Sequence, residues 1–366
     1  MKVSHRLTAS GPSAWIAQLL GRLRYGGERA LRRTVPAPVA MLDLLNAGWL
    51  AQAIVAAAEI GLADAVGEVP QTAHEIAARL SINPDGCARL LRALAAHGIF
   101  AQHADGRYTL GALARTLRTD SADSLRDYAL FVGSAAHREH WSSLARSIAL
   151  GASSLPHLRG VGFFEYAQKD ERLGALFGRA MSNLSALSRD FVLDAYDFSR
   201  FGSLVDVGGG EGVFLSAILA RVPELLGVLF DLPEVVARAE AALEPAMRAR
   251  IELRPGSFFE PLPAGHDAYL FKHILHDWDD DEARRILRGA REAFRQRAKL
   301  LVIEMVLPEN GAAHVGKLVD LEMLLSVGGR ERTRAQFAQL FASAGFRLQR
   351  VIATASPLCL LEAEPV

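Results

Sequence analysis

Hydrophobic and polar positions follow two rhythms along the chain, and the change falls near residue 200. Before it, apolar residues recur at helical spacing. From Met41 to about Val66 they define one long amphipathic helix. In "QTAHEIAARLSINPDGCARLLRALAAHGIFAQHADGRYTL", Thr72 caps a short helix through Leu80, and Glu75 completes a capping box. "INPDG" then turns the chain into a second helix from about Asp85 to His97, which Gly98 stops. A hairpin around Asp105 and Gly106 follows, and residues 119 to 195 read as helices throughout.

After "FGSLVDVGGGEG" the period changes to short β runs: "SLVDVG", "GVLFDL", "RIELRP", "AYLFKHI", "KLLVIEMV", "FRLQRVI" and "LCLLEAE". The first five alternate with helical segments, which predicts right-handed crossovers and a parallel sheet. The last two are joined only by "ATASP" and are expected to pair as an antiparallel hairpin at one edge. The expected fold class is therefore α/β. A doubly wound, Rossmann-like sheet of seven strands over residues 196–366 follows a mostly helical, winged-helix-like domain at 37–118 and a helical region at 119–195. Residues 1–36, closed by the two prolines of "TVPAPVA", are expected to form a flexible arm.

Composition removes several function classes. Half of the 366 residues are hydrophobic, so wholesale disorder is excluded. Lys plus Arg and Asp plus Glu both number 41, which leaves no global attraction to nucleic acid or an anionic membrane. Two widely separated cysteines, Cys87 and Cys359, fit a reducing cytoplasm better than a disulfide framework. The arginines near the N-terminus lack the apolar core of a signal peptide. "WLAQAIVAAAEIGLADAV" is interrupted by Gln52, Glu59 and Asp64 and reads as a buried or interface helix, not a membrane span. The winged-helix outline raises DNA binding. However, its second helix offers only Arg89 and Arg92 among Leu and Ala, so packing is the expected role.

Candidate chemistry begins at the glycine loop. Strand, "DVGGGEG", helix is the arrangement that binds nucleotide-like ligands at the carboxyl ends of strands. The spacing Gly208-x-Gly210-x-Gly212 followed by Val213 matches neither the dinucleotide fingerprint nor a P-loop. Asp231, 23 residues after Gly208, ends the next strand and can accept both hydroxyls of a ribose. An adenosyl ligand without phosphates fits, and S-adenosylmethionine is the candidate. The bland alternative is a tight turn with a capping acid. Further on, "YLFKHILHDWDDDEARRIL" sets His276, Asp277 and Trp278 together where an apolar strand stops. His276 there is either a base or a turn cap. His273 and Asp277 beside it resemble a metal cluster only superficially, since no further ligand group stands at matching spacing.

In the order "LVDVGGGEG", "FDLPEVV", "GSFFEPLP", "KHILHDWDD", "IEMVLPE" and "GGRERTRAQFAQLFASAGF", the chain from about residue 41 to its end resembles one family. It is the S-adenosylmethionine-dependent O-methyltransferases of the plant caffeate and isoflavone type, with bacterial relatives in natural-product pathways. The resemblance implies cofactor contacts from Ser185, Gly208, Asp231, Ser257, Phe258 and Lys272. It implies His276 as catalytic base flanked by Glu304 and Glu331, and Met181 and Met323 as clamps on an aromatic substrate. Asp277 joins these as a candidate substrate contact, and no metal is expected. A homodimer through the N-terminal region is implied as well. Ser257 departs from the pattern, because the family usually has Asp there. A neutral acceptor bonds more weakly than a charged one, so weaker cofactor binding is expected.

Methyl transfer to oxygen is an in-line displacement in which alignment supplies much of the acceleration. A phenol with a pKa near ~10 is scarcely ionised at neutral pH, so a histidine within hydrogen-bond reach is the natural base. A carboxylate on its other nitrogen fixes the tautomer. Glu304, an acid in the apolar run "LLVIEMV", and Glu331, after "SVGGR", are expected to converge on His276. One alternative keeps the cofactor as a charged scaffold for decarboxylating or hydroxylating a polyketide-like substrate. Another is a regulator that senses the cofactor. Acceptor identity depends on a pocket shaped by residues 119 to 195 and is not legible here.

Overall fold

The computed structural model describes residues 14–295 and 297–366. Two compact units interleave along the chain: residues 27–142 with 164–187, and residues up to 26 with 143–163 and 188–366.

In the first of these units, the expected long helix is in fact Ala37–Glu59, followed by a short turn of helix at Leu62–Ala65. The break lies at Gly61, whose φ of 69° suits a residue without Cβ. Thr72 and Glu75 form the expected capping box ahead of Ala73–Leu80. Asn83 caps the Pro84–Ala96 helix through the Gly86 N–H. Strands β1 (Phe100–Gln102) and β2 (Tyr108–Leu110) pair antiparallel, with Gly106 at φ 84° in their turn. Ile76, Leu91, Leu94 and Phe100 form the centre of this unit's core.

The Ala37–Glu59 helix buries only Val55, Ala57 and Ala58 and leaves Met41, Leu42, Leu45 and Trp49 exposed. By length and composition it is the one helix among the described residues able to cross a membrane. Of the arm expected at 1–36, residues 1–13 lie outside the described residues. Ala14–Arg32 is a helix, none of whose residues is buried.

The other unit holds the large sheet. Its strands are β3 (Ser203–Val207), β4 (Leu226–Asp231), β5 (Ile251–Pro255), β6 (Ala268–Lys272), β7 (Lys299–Leu307), β8 (Arg332–Thr333), β9 (Phe346–Ala353) and β10 (Leu358–Pro365). The order is β5-β4-β3-β6-β7-β10-β9, with β8 beside the end of β7. All seven expected strands are present, β9 and β10 form the antiparallel hairpin, and β8 is an addition. Side chains alternate across the sheet as its pleat requires. Val205, Tyr269, Phe271, Leu300 and Val302 face one core, with Ile286, Leu287 and Phe337. Leu204, Leu270, Leu301 and Ile303 face the other, with Phe214, Leu215 and Ile218.

The chain runs outward from β3 to β5, then returns to place β6 on the other flank of β3. The carboxyl ends of β3 and β6 thus bound the switch point where open α/β sheets bind ligands. Across the sheet, Glu362 of β10 accepts from Tyr196 Oη at 2.6 Å and from Arg350 at 2.8 Å. Tyr196→Phe removes one charge-assisted hydrogen bond worth roughly 1.5–3 kcal/mol. Urea unfolding should show a stability loss of about that size without a change in slope.

Candidate active site

The first part of the site is the loop after β3. Gly208, Gly210 and Gly212 all adopt positive φ, between 61° and 75°. A Cβ on Gly208 would run into Ile274, whereas a Cβ on Gly210 would meet nothing within 4 Å, so the loop presents an open face there. Asp231, ending β4, pins the loop from the side. Its Oδ2 accepts from the Gly210 N–H at 2.8 Å and its Oδ1 from the Leu232 N–H at 2.7 Å. Burial raises the Asp231 pKa, and these two N–H donors oppose that shift.

Asp206 and Lys272 fall on the same face of the sheet by strand alternation. Burial raises the Asp206 pKa to about 7, although Lys272 pulls it the other way. Burial lowers Lys272 to about 8, opposed by Asp206. The Lys272 ammonium also lies 5.4 Å from the centre of the Phe214 ring. Asp206 Oδ2 is buried with no hydrogen-bond partner among the described residues. Phe258, after β5, stands edge-on to Trp278 at 6.0 Å between ring centres. Ser257 accepts the Phe259 N–H at 3.3 Å, so its oxygen is already shared with the turn.

The second part is the exit from β6. His273 takes a left-handed φ of 55°, which redirects the chain out of the strand at some cost in strain. A 3-10 turn at Leu275–Asp277 then carries the buried His276. His276 Nδ1 lies 2.8 Å from Glu331 Oε1, and its Nε2 lies 3.5 Å from Asp277 Oδ1. Glu304 behaves differently from expectation. It accepts from the backbone N–H of His276 at 3.1 Å and not from the ring. Of the two expected acids, Glu331 therefore orients the imidazole and Glu304 fixes the backbone that carries it. Asp277, assigned no role at the ring by sequence, stands at the nitrogen opposite Glu331.

Electrostatics follow from this burial. Desolvation disfavours the charged form of His276, but Asp277, the Glu331 hydrogen bond and Glu304 outweigh it and push the pKa up to about 10. Burial raises Glu304 to about 7 and Asp277 to about 6, each partly offset by His276. His273 moves the other way, well below its ordinary value, through burial and the neighbouring Lys272 and His276. The second oxygens of Glu304 and Glu331 have no hydrogen-bond partner among the described residues.

The loop that brings Glu331 here leaves the Gly316–Ser326 helix. The Met323 carbonyl accepts from the N–H groups of Val327, Gly328 and Gly329, so Met323 anchors the loop by its backbone as well as standing half-buried near it. Gly329 has room for no Cβ, which would overlap the His276 carbonyl oxygen. Arg330 N–H donates to that carbonyl at 2.8 Å, and Glu331 N–H donates to Asp320 at 2.8 Å. Met181 and Ser185 belong to the other unit, one turn apart on the Glu171–Ala195 helix and both half-buried. Among the described residues no group of His, Cys, Asp and Glu is arranged to hold a metal ion.

The model of the O-methyltransferase domain matches residues 141–347, and that of the O-methyltransferase dimerisation domain matches residues 42–120. The chain belongs to the O-methyltransferase family.

Relatives of this O-methyltransferase place it among bacterial natural-product enzymes. It is 36% identical to a phenazine O-methyltransferase of Lysobacter antibioticus over 91% of this chain and 97% of that one. An O-methyltransferase from neocarzinostatin biosynthesis, solved with S-adenosylmethionine and 2-hydroxy-5-methyl naphthoic acid, is 35% identical with a TM-score of 0.73. That match covers 87% of this chain and 96% of that one. Human N-acetylserotonin methyltransferase in complex with S-adenosylmethionine superimposes with a TM-score of 0.83 at 27% identity, covering 90% and 98%.

S-Adenosylmethionine is the cofactor of this enzyme, and the residues present fit it. The open face at Gly210 leaves room for an adenosyl amino acid, and the carboxylates of Asp231 and Asp206 offer it acceptors. Sequence reasoning missed Asp206, although an acid in the apolar run "SLVDV" carried the same signal as Glu304. A Gly210 Cβ meets no protein atom, so Gly210→Ala clashes with nothing in the protein but strains its left-handed backbone. The expected outcome is at least about tenfold weaker S-adenosylhomocysteine binding by calorimetry, from left-handed strain plus a filled cradle.

Proposed function

We propose that this enzyme methylates a hydroxyl of an aromatic small molecule, with His276 as general base. The observation that supports it most is the 2.8 Å contact between His276 Nδ1 and the buried Glu331. That contact supports a reading in which the Nδ1 proton faces the carboxylate and Nε2 is the basic edge. When bound, S-adenosylmethionine supplies a methyl carbon made electrophilic by its sulfonium. Transfer to the acceptor oxygen would break the sulfonium's bond to that methyl and release the neutral thioether, S-adenosylhomocysteine, while His276 Nε2 would take the acceptor's O–H proton. The imidazolium so formed stays paired with Glu331, and Glu304 keeps the turn in place. Such a base contributes roughly 10²–10⁴-fold.

In the proposed roles, Asp231 holds the ribose, Phe258 lies against the adenine with Ser257 beside it, and Lys272 and Ser185 complete the cofactor pocket. Met181, Met323 and Asp277 contact the acceptor. The aromatic class of acceptor is supported by the naphthoic acid bound in the neocarzinostatin relative. Free thiols at Cys87 and Cys359 agree with a cytoplasmic enzyme.

Incubation with S-adenosylmethionine and a panel of phenols and naphthols should give a product one methyl heavier by mass spectrometry. His276→Ala should remove that product while cofactor affinity stays within about threefold of wild type; unchanged turnover would sink the base assignment. The pH dependence follows from the raised His276 pKa of about 10. Only the neutral ring accepts a proton, so kcat/KM of the free enzyme should climb from neutral pH toward that value. Glu331→Gln withdraws a partner of the imidazolium, and its acidic limb should move to lower pH. For stability the same raised value means that the contribution of His276 is complete below its unfolded pKa near ~6.5 and is lost as pH rises through about 10.

We propose further that the enzyme is a homodimer through the exposed apolar face of the Ala37–Glu59 helix, within the matched dimerisation segment. Leu45→Asp with Trp49→Asp should yield a monomer by light scattering, while the wild type elutes as a dimer.

A further inference from the structure

We infer that Arg332 is a positioning residue for the base, holding the backbone turn that carries His276 and acting only through it. The inference rests on the reading of His276 as the base. Among the described residues, Arg332 is the largest side chain to be wholly buried. Its guanidinium spreads over the turn as a fork. Nη1 donates to the Leu275 carbonyl at 2.8 Å and to the Arg330 carbonyl at 3.3 Å. Nη2 donates to the Trp278 carbonyl at 2.9 Å, and Nε donates to Asp280 Oδ1 at 2.9 Å. The two turn carbonyls it takes lie immediately before His276 and two residues after it.

Together with its neighbours, Arg332 leaves this turn no freedom. The His276 N–H goes to Glu304, and its carbonyl accepts the Arg330 N–H. The Asp277 N–H returns to Ile274 and the Trp278 N–H to Leu275. Glu331, directly before Arg332, takes the imidazole. One pair of adjacent residues therefore grips the base twice, by its ring and by its backbone. A buried guanidinium is costly unless its donors are used, and among the described residues the one carboxylate it bonds directly is the half-exposed Asp280, with Glu304 near enough to feel its charge. A packing role alone would be filled more cheaply by an apolar side chain. Planar, forked donation to several carbonyls at once is the property that distinguishes arginine from lysine.

Arg332→Lys keeps the charge and removes the fork, so it isolates geometry from field. The test labels histidine with ¹⁵N, identifies the His276 signal by its loss in His276→Asn, and follows its titration with S-adenosylhomocysteine bound. In Arg332→Lys the loosened Glu331 contact should lower the His276 pKa by roughly one unit. On the panel phenol that the wild type methylates fastest, the pH-independent kcat, fitted from the pH profile so that the change in neutral fraction is removed, should fall by about tenfold or more while KM for S-adenosylmethionine changes little. If Arg332→Lys does not fold, Asp280→Asn replaces it; that half-exposed acid holds Nε and should give the same shifts in smaller measure. An unmoved titration and unchanged kcat in the folded variant, with turnover lost in His276→Asn, would overturn the inference and leave the base in place. Retained turnover in His276→Asn would overturn both.

Discussion

An ionisable ring taken out of water and set among carboxylates is the constraint on which the site depends. Desolvation disfavours the imidazolium of His276, and it equally disfavours the charges on Glu304 and Asp277. Each is tolerable only because the others stand within a few ångströms, so the cluster must be built whole or not at all. That demand explains the density of backbone hydrogen bonds around one short turn. A ring displaced by an ångström would lose its carboxylate and keep its burial.

The sheet supplies the means. Strand β6 runs next to β3, so the glycine loop and the turn of His276 leave the same edge of the sheet side by side. β7 lies one strand further on and delivers Glu304 on the face that looks toward the turn. Its end pairs with β8, which fixes the height of Glu331 and Arg332. The glycine loop and the turn of His276 are thus separated by one strand spacing and locked by sheet hydrogen bonds. The left-handed step at His273 and the missing Cβ at Gly329 are the two places where the chain yields to make this fit.

Much of this was legible in the sequence, because it depends on local signals. The Thr72–Glu75 capping box, the seven strands of the sheet and the glycine loop are written within a few residues each. That Asp231 stands beside the loop was legible because the loop and the end of the next strand are neighbours by topology. What the sequence hid is set by contacts distant along the chain. Nothing local tells whether Glu304 reaches the ring or the backbone of a residue 28 positions away. Nothing near Arg332 in sequence announces its four partners. The break at Gly61 was lost for the opposite reason, since an unbroken apolar period hid a single backbone angle.

Adjacent side chains in extended backbone point to opposite sides, and here both sides are used: Glu331 for the ring, Arg332 for the carbonyls. A surface connection ordinarily accepts insertions and deletions freely. This one cannot. One residue more or fewer between Gly329 and β8 would exchange acid and cation, presenting a guanidinium to the imidazole and a carboxylate to a row of carbonyls. The segment is therefore locked in length as well as in identity, and variation in how the enzyme meets its acceptors has to come from elsewhere in the chain.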